Sequence, residues 1–209
     1  MSFDFADVSA TGWIAVGALA ALAVVLLVIA RGRVRWTARM IANAALCLAL
    51  AFVLSYIKLF DLPQGGAVTA ASLLPIIAFA YSYGLAPGLV VGVAYGLLQM
   101  IQDPWIVSPV QAILDYPLAF ACIALAAVAR KLPDSWGWLA GIALGGVGRF
   151  VCHVLSGVVF FAEYAEGTGM SPLVYSVSYN SFVFVDLAIC AVVMAFPQVR
   201  RALKKMTER

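Results

Sequence analysis

Three polar side chains interrupt apolar runs that are otherwise almost free of charge: the carboxyl of Asp115, the imidazole of His153 and the carboxamide of Asn180. A polar group at membrane depth is costly and normally faces a bundle interior or a cavity. Asp115 lies about eight residues inward from the end of its run, His153 about eight from the same side of the next, and Asn180 about seven into the last. At 1.5 Å per residue these depths are roughly 11–12 Å, so an acid, an imidazole and an amide share one level. Tyr116 adjoins Asp115, and Tyr175 precedes Asn180 by a little more than one turn. A few convergent polar groups in apolar surroundings describe a small-molecule pocket. An acid among aromatic faces suits a flat cation or an amphipathic aromatic ligand.

Other residues qualify that site. Tyr95, Phe161, Tyr164 and Tyr175 fall at or just above the same depth. An interfacial aromatic belt explains Trp105 and Tyr164 but not Tyr95, which sits inside its run. Arg149, His153 and Gly157 are each one turn apart and share a helix face. A glycine at 157 leaves room for a ligand or lets a second helix approach closely. Arg149 and Asp186 lie deeper, near the centres of their runs. They form either a proton or ion relay or an ion pair locking two helices, and an unpaired charge there costs several kcal/mol.

These groups require apolar helices to position them, and the composition supplies little else. The chain has 209 residues, 65% hydrophobic and 11% charged, with mean hydropathy +1.02. A soluble domain is about half apolar and a quarter charged, so lipid must cover much of this one. An ordinary cytosolic enzyme, a nucleic-acid-binding module and a disordered chain are excluded. Cys47, Cys122, Cys152 and Cys190 lie in apolar runs without a C-x-x-C pair, so neither a metal nor a redox site is indicated. No G-x-S-x-G or H-E-x-x-H pattern supports an intramembrane enzyme using His153 and Asp115.

Seven apolar runs are expected to cross a membrane, at about 11–30, 39–59, 68–83, 85–101, 107–129, 136–161 and 173–196. An acidic segment precedes the first and arginines follow it, the reverse of a signal peptide. With the N-terminus outside, eleven of thirteen basic residues (Arg31, Arg33, Arg35, Arg39, Arg130, Lys131, Arg200, Arg201, Lys204, Lys205 and Arg209) fall on the cytoplasmic side, as the positive-inside rule requires. On the second run, Ala38 and Ala42, then Ala45 and Ala49, make a small-residue seam. Such a seam permits close helix packing, inside the bundle or against a partner.

The blocks LPQGGAVTAASLLPIIAFAYSYGLAPGLVVGVAYGLLQ, SPVQAILDYPLAF, GRFVCHVLSGVVFFAEYA and GMSPLVYSVSYNSF resemble the thiamine-specific S components of energy-coupling factor transporters. The resemblance covers roughly residues 39–196. It implies an all-α integral membrane protein: a six-helix core over 37–197, an additional N-terminal transmembrane helix and basic linker over 1–36, and a basic cytoplasmic tail over 198–209. It implies thiamine uptake at the plasma membrane without catalysis or cofactor, energised by a transmembrane coupling protein and two cytoplasmic ATPases. The family's acid–tyrosine pair matches Asp115 and Tyr116, its histidine His153, its glycine Gly157, and its Tyr-x-x-x-x-Asn pattern Tyr175 and Asn180. Its stacking aromatics fall near Phe161 and Tyr95, where tryptophan is common in the family. Its coupling-protein contact matches Ala38, Ala42, Ala45 and Ala49, and the DLPQGG loop becomes an outer lid. Lipid is a partner and nucleic acid is not. Two alternatives stay open: an S component for another vitamin or a thiamine precursor, and a self-sufficient proton-coupled carrier using Arg149 and Asp186.

Overall fold

A computed structural model describes Gly17, residues 34–133 and residues 136–207. The helix expected over 11–30 lies outside the described residues, Gly17 apart.

Helix α1 (Ala38–Ser55) starts where Thr37 Oγ1 accepts the amide of Met40 at 3.2 Å, which satisfies one orphan donor of the first turn. It buries Ala44, Cys47, Ala51 and Ser55, one stripe at helical spacing. Strand β1 (Lys58–Asp61) follows and pairs antiparallel with β2 (Ala67–Thr69). Gln64 and Gly65 take left-handed φ of +64° and +82° in the connection, and Leu62 N–H bonds Gly66 O at 2.7 Å. This hairpin corrects the all-helical expectation for the run at 68–83. Thr69 and Ser72 place hydroxyls in that run, and Thr69 finds a buried partner described below. Ala71 turns the chain at φ +60°, so helix α2 covers only Leu74–Tyr83. Ten residues reach about 15 Å, half the hydrocarbon core of a bilayer. Residues 74–82 of α2 are buried on every side, which suits a sequence apolar all round. Gly84, at φ +103°, ends α2 and admits α3 (Leu85–Gln102) at once.

Helix α4 (Pro109–Lys131) runs between two glycine-lined neighbours. On α3, Gly88, Gly92 and Gly96 recur every four residues. A Cβ at 92 would lie 2.9 Å from Ala121 Cα, and one at 96 would lie 2.8 Å from Pro117 Cα. On α5 (Gly137–Phe160), a Cβ at 145 would lie 3.0 Å from Ile123 O. Backbones approach this closely only without side chains between them, the small-residue packing of membrane helices. Helix α6 (Pro172–Ala195) is interrupted at Ser181, directly after Asn180.

Among the described residues, five helices (α1, α3, α4, α5 and α6) are long and apolar enough to cross a membrane, and α2 is a shorter apolar helix. Ile41, Leu46, Val53, Val128 and Val192 stand exposed on their outer faces, as a lipid-covered bundle requires. The tail forms α7 (Pro197–Thr207), which lays Val199, Leu203 and Met206 on the core and keeps Arg200, Arg201 and Lys205 exposed. Arg39 Nη2 donates to Lys205 O at 2.7 Å, tying the helix to the start of α1.

The glycine seam gives a direct test. Gly92→Ala drives a methyl into the backbone of α4, which cannot swing aside as a side chain would. The expected loss is about 1–3 kcal/mol, read as a lower Tm of the detergent-purified chain. An unchanged Tm would contradict the close approach of α3 and α4.

Candidate functional site

Pro117 shapes the centre of the site. It has no N–H to give to the preceding turn and its ring crowds that turn. The helix widens there, and residues Leu114–Leu118 form a π-helical turn, a distortion frequent at functional sites. Asp115 and Tyr116 sit in it. Asp115 Oδ2 accepts from Gln111 Nε2 at 2.6 Å and from Ser156 Oγ at 2.7 Å, and its Oδ1 lies 3.0 Å from His153 Nδ1. A carboxylate only accepts, so Nδ1 carries the proton of that bond. In the neutral ring Nε2 is then an acceptor. His153 Nε2 is buried and has no partner, and the same holds for Arg149 Nε.

Both atoms belong to residues lining one cavity at the hairpin end of the bundle, together with Asp115, Tyr116, Gly157 and Phe161. On the α6 side Tyr175, Ser176, Tyr179 and Asn180 complete the wall. Asn180 Nδ2 donates to Ser176 O at 2.9 Å and to His153 O at 3.3 Å, and Ser176 Oγ donates to Val154 O at 2.8 Å. A Cβ on Gly157 would collide with Ser176 Oγ. That glycine therefore serves close helix approach and the cavity wall at once.

The hairpin closes the cavity from above. Gln64 Nε2 donates to Tyr175 OH at 3.2 Å, Gly66 N–H donates to Tyr179 OH at 3.2 Å, and Tyr179 OH bonds Pro63 O. Lys58 bridges Asp103 at 2.5 Å and Asp61 at 3.1 Å. The Asp103 and Asp61 carboxylates hold its ammonium above the usual lysine range.

The sequence was compared with known proteins. It matches the family described as thiamine transporter protein over residues 41–206. The chain belongs to the thiamine transporter family. The thiamine transporter ThiT of Bacillus subtilis is 30% identical over 180 residues, covering 77% of this chain and 93% of that protein. ThiT of Lacticaseibacillus paracasei is 30% identical over 159 residues, covering 67% and 76%. Two solved structures share the fold. ThiT from Listeria monocytogenes superposes with a TM-score of 0.69 at 24% identity, over 80% of this chain and 96% of its own. The S component of a bacterial ECF transporter gives 0.54 at 21% identity, over 81% and 98%. The family is one of transporters, not enzymes.

Of the residues expected at the transporter's site, Asp115, Tyr116, His153, Gly157, Phe161, Tyr175 and Asn180 line this cavity. Tyr95 lies outside this wall. It is fully buried behind Phe120, which it meets edge-on at 5.0 Å, and its hydroxyl reaches Ala51 O at 3.3 Å. Phe120, not Tyr95, presents its ring to the cavity. The Tyr116 hydroxyl accepts from Trp105 N–H at 2.7 Å and donates to Asp103 O at 3.1 Å, so it orders the α3–α4 loop. Sequence reasoning missed Gln111, Ser156 and Trp105. Gln111 stands one turn before Asp115, a spacing that brings side chains together. Trp105 was assigned to the aromatic belt, yet it lines the cavity. Ala38, Ala42, Ala45 and Ala49 stand exposed along α1, away from its packed stripe.

Below His153, Arg149 Nη1 lies 3.5 Å from Asp186 Oδ2, and the guanidinium sits 4.8 Å from the Phe120 ring centroid. The structure therefore contains the ion pair. Asp186 is 1% exposed and Arg149 8%. Removing one partner strands a charge, which costs about 3–5 kcal/mol. Arg149→Met should lower stability by that order, and Arg149→Met with Asp186→Asn, which removes both charges and keeps an acceptor oxygen at 186, should recover much of it in a chemical or thermal melt. A double variant no more stable than the single would show that the pair does not hold these helices.

Proposed function

We propose that this chain is the substrate-binding membrane subunit of an energy-coupling factor transporter, and that it takes up thiamine by holding it in the cavity beneath the hairpin. The observation that carries the reading is the unpartnered Nε2 of His153 beside the buried Asp115 carboxylate. Thiamine joins an aminopyrimidine, with ring-nitrogen acceptors and an exocyclic amine donor, to a thiazolium cation. Asp115 balances the cation and fixes the His153 ring. Nε2 takes a ligand donor, while Asn180 and Tyr175 face the remaining polar edge. Phe161, with Phe120 and Trp105, supplies apolar and π surface for the two rings.

Transport then requires partners, as for an S component of such a transporter. The coupling protein docks along Ala38, Ala42, Ala45 and Ala49, whose small exposed side chains suit close contact with another membrane helix. Two cytoplasmic ATPases act through that protein. The hairpin end faces outward and α7 faces the cytoplasm, with Arg130, Lys131, Arg200 and Arg201 on the inner side. Residues 37–197 form the binding core and 198–209 the basic tail.

Equilibrium binding of labelled thiamine to the purified chain tests the site. Asp115→Asn keeps the shape and removes the charge. It should weaken binding about 10- to 100-fold, the range for losing a charge-assisted contact. Tyr95→Phe should change affinity far less, by about threefold or under, since its ring lies behind Phe120 and its hydroxyl meets Ala51 O and neighbouring serine hydroxyls. Equal affinities for Asp115→Asn and the unaltered chain would remove Asp115 from the site.

A further inference from the structure

Asp186 was introduced above only as the counter-charge of Arg149, but its other oxygen has a separate task. Oδ1 accepts the Thr69 amide at 3.2 Å and the Thr69 hydroxyl at 3.1 Å. Thr69 is the last residue of β2, so this carboxylate grips the hairpin's inner end from within the bundle. The Thr69 and Ser72 hydroxyl oxygens are 2.7 Å apart. The Thr69 hydroxyl has a single hydrogen and Asp186 can only accept. That hydrogen therefore goes to Asp186, and Ser72 donates to Thr69. Thr69, Ser72, Arg149 and Asp186 all line the cavity, and none is more than 8% exposed.

The other end of the hairpin is held by the same helix. Tyr175 and Tyr179 of α6 bond its tip at Gln64, Pro63 and Gly66. Positions 175, 179 and 186 are spaced by four and seven residues, which keeps them along one side of a helix. Helix α6 thus holds the hairpin at the rim through two phenols and at the floor through one carboxylate. The bonds differ in kind. Those at the rim are neutral and partly open to water. Those at the floor go to a buried carboxylate paired with Arg149, and hydrogen bonds to a charged acceptor in a low-dielectric setting are stronger.

We propose that Asp186 is a positioning residue that anchors the lid hairpin to the cavity floor through Thr69 while holding the Arg149 guanidinium against the same floor. Opening the hairpin then strips two donors from a buried carboxylate. The anchor resists that opening and so slows departure of whatever the hairpin covers. This rests on the thiamine reading only for the identity of the ligand.

Hydrogen exchange and ligand release on the full chain separate the two oxygens' roles. Without ligand, amide exchange over 58–70 is compared in the unaltered chain, Thr69→Val, Asp186→Asn and Asp186→Leu, alongside release of labelled thiamine. Asp186→Asn keeps an oxygen for Thr69 but not the charge for Arg149, and its hairpin exchange should stay within about threefold of the unaltered chain. Asp186→Leu should speed exchange across β2 by about tenfold or more, as expected for losing bonds to a charged acceptor. Thr69→Val should speed thiamine release by at least about threefold, the scale of one buried hydrogen bond. If Asp186→Leu does not fold, Thr69→Val decides alone by both readouts. Equal exchange in Asp186→Asn and Asp186→Leu, or unchanged exchange and release in Thr69→Val, would overturn the anchor. Failure of the unaltered chain to bind thiamine would overturn the ligand assignment and leave the exchange comparison standing.

Discussion

Asp115 is a carboxylate set inside a bundle that lipid covers, and the need to keep it satisfied there organises the site. An ionised group in such surroundings survives only if hydrogen-bonded on most sides. Gln111 from its own helix and Ser156 and His153 from α5 meet that need. The same bonds fix α4 against α5 and leave one buried imidazole nitrogen of a cavity-lining residue with nothing to bond. Structural satisfaction and a prepared binding group therefore come from one arrangement. The two roles cannot be separated by removing Asp115 outright, which is why a charge-only change is informative.

The scaffold follows from the chemistry of close approach. Asp115 reaches the cavity because Pro117 widens its turn, and a widened turn needs neighbours that do not crowd it. Gly96 lies against Tyr116 and Pro117, and Gly92 against Phe120 and Ala121. Gly157 lets Ser176 approach α5, which brings Asn180 to the backbone of His153. The hairpin completes the enclosure. Val68 is its one deeply buried core residue, and its polar hold on the bundle comes from side-chain bonds at Tyr175, Tyr179 and Asp186 and from the Lys58–Asp103 bridge. An element attached by a few polar contacts opens locally more easily than one packed on all sides.

Much of this was legible in the amino-acid sequence, and the parts that were not have physical reasons. Depth along apolar runs placed Asp115, His153 and Asn180 at one level because helical rise is constant. Arg149 and Asp186 read as either a relay or an ion pair, and the structure places them 3.5 Å apart. Tyr95 misled because depth does not report azimuth: it shares the cavity's level but points behind Phe120. Trp105 misled in the opposite sense, since a tryptophan in a loop near an interface matches a belt residue and a cavity wall equally. Residues 67–69 read as the start of a helix because their apolar run is continuous with α2. The partner that holds them as a strand, Asp186, is 117 positions away from Thr69, beyond any local pattern. The repeat of Gly88, Gly92 and Gly96 went unread, although glycines four apart are a local signal of a close helix pair.

The central claim is that the cavity between α4, α5 and α6 holds thiamine beneath the hairpin. Its most direct test is a titration of the purified full chain with thiamine, followed by tryptophan fluorescence, because Trp105 lines the cavity. The account predicts saturable quenching at one thiamine per chain in the micromolar range or below, and loss of most of the quench in Trp105→Phe. Absence of saturable quenching at micromolar thiamine, with a different vitamin bound instead, would contradict it.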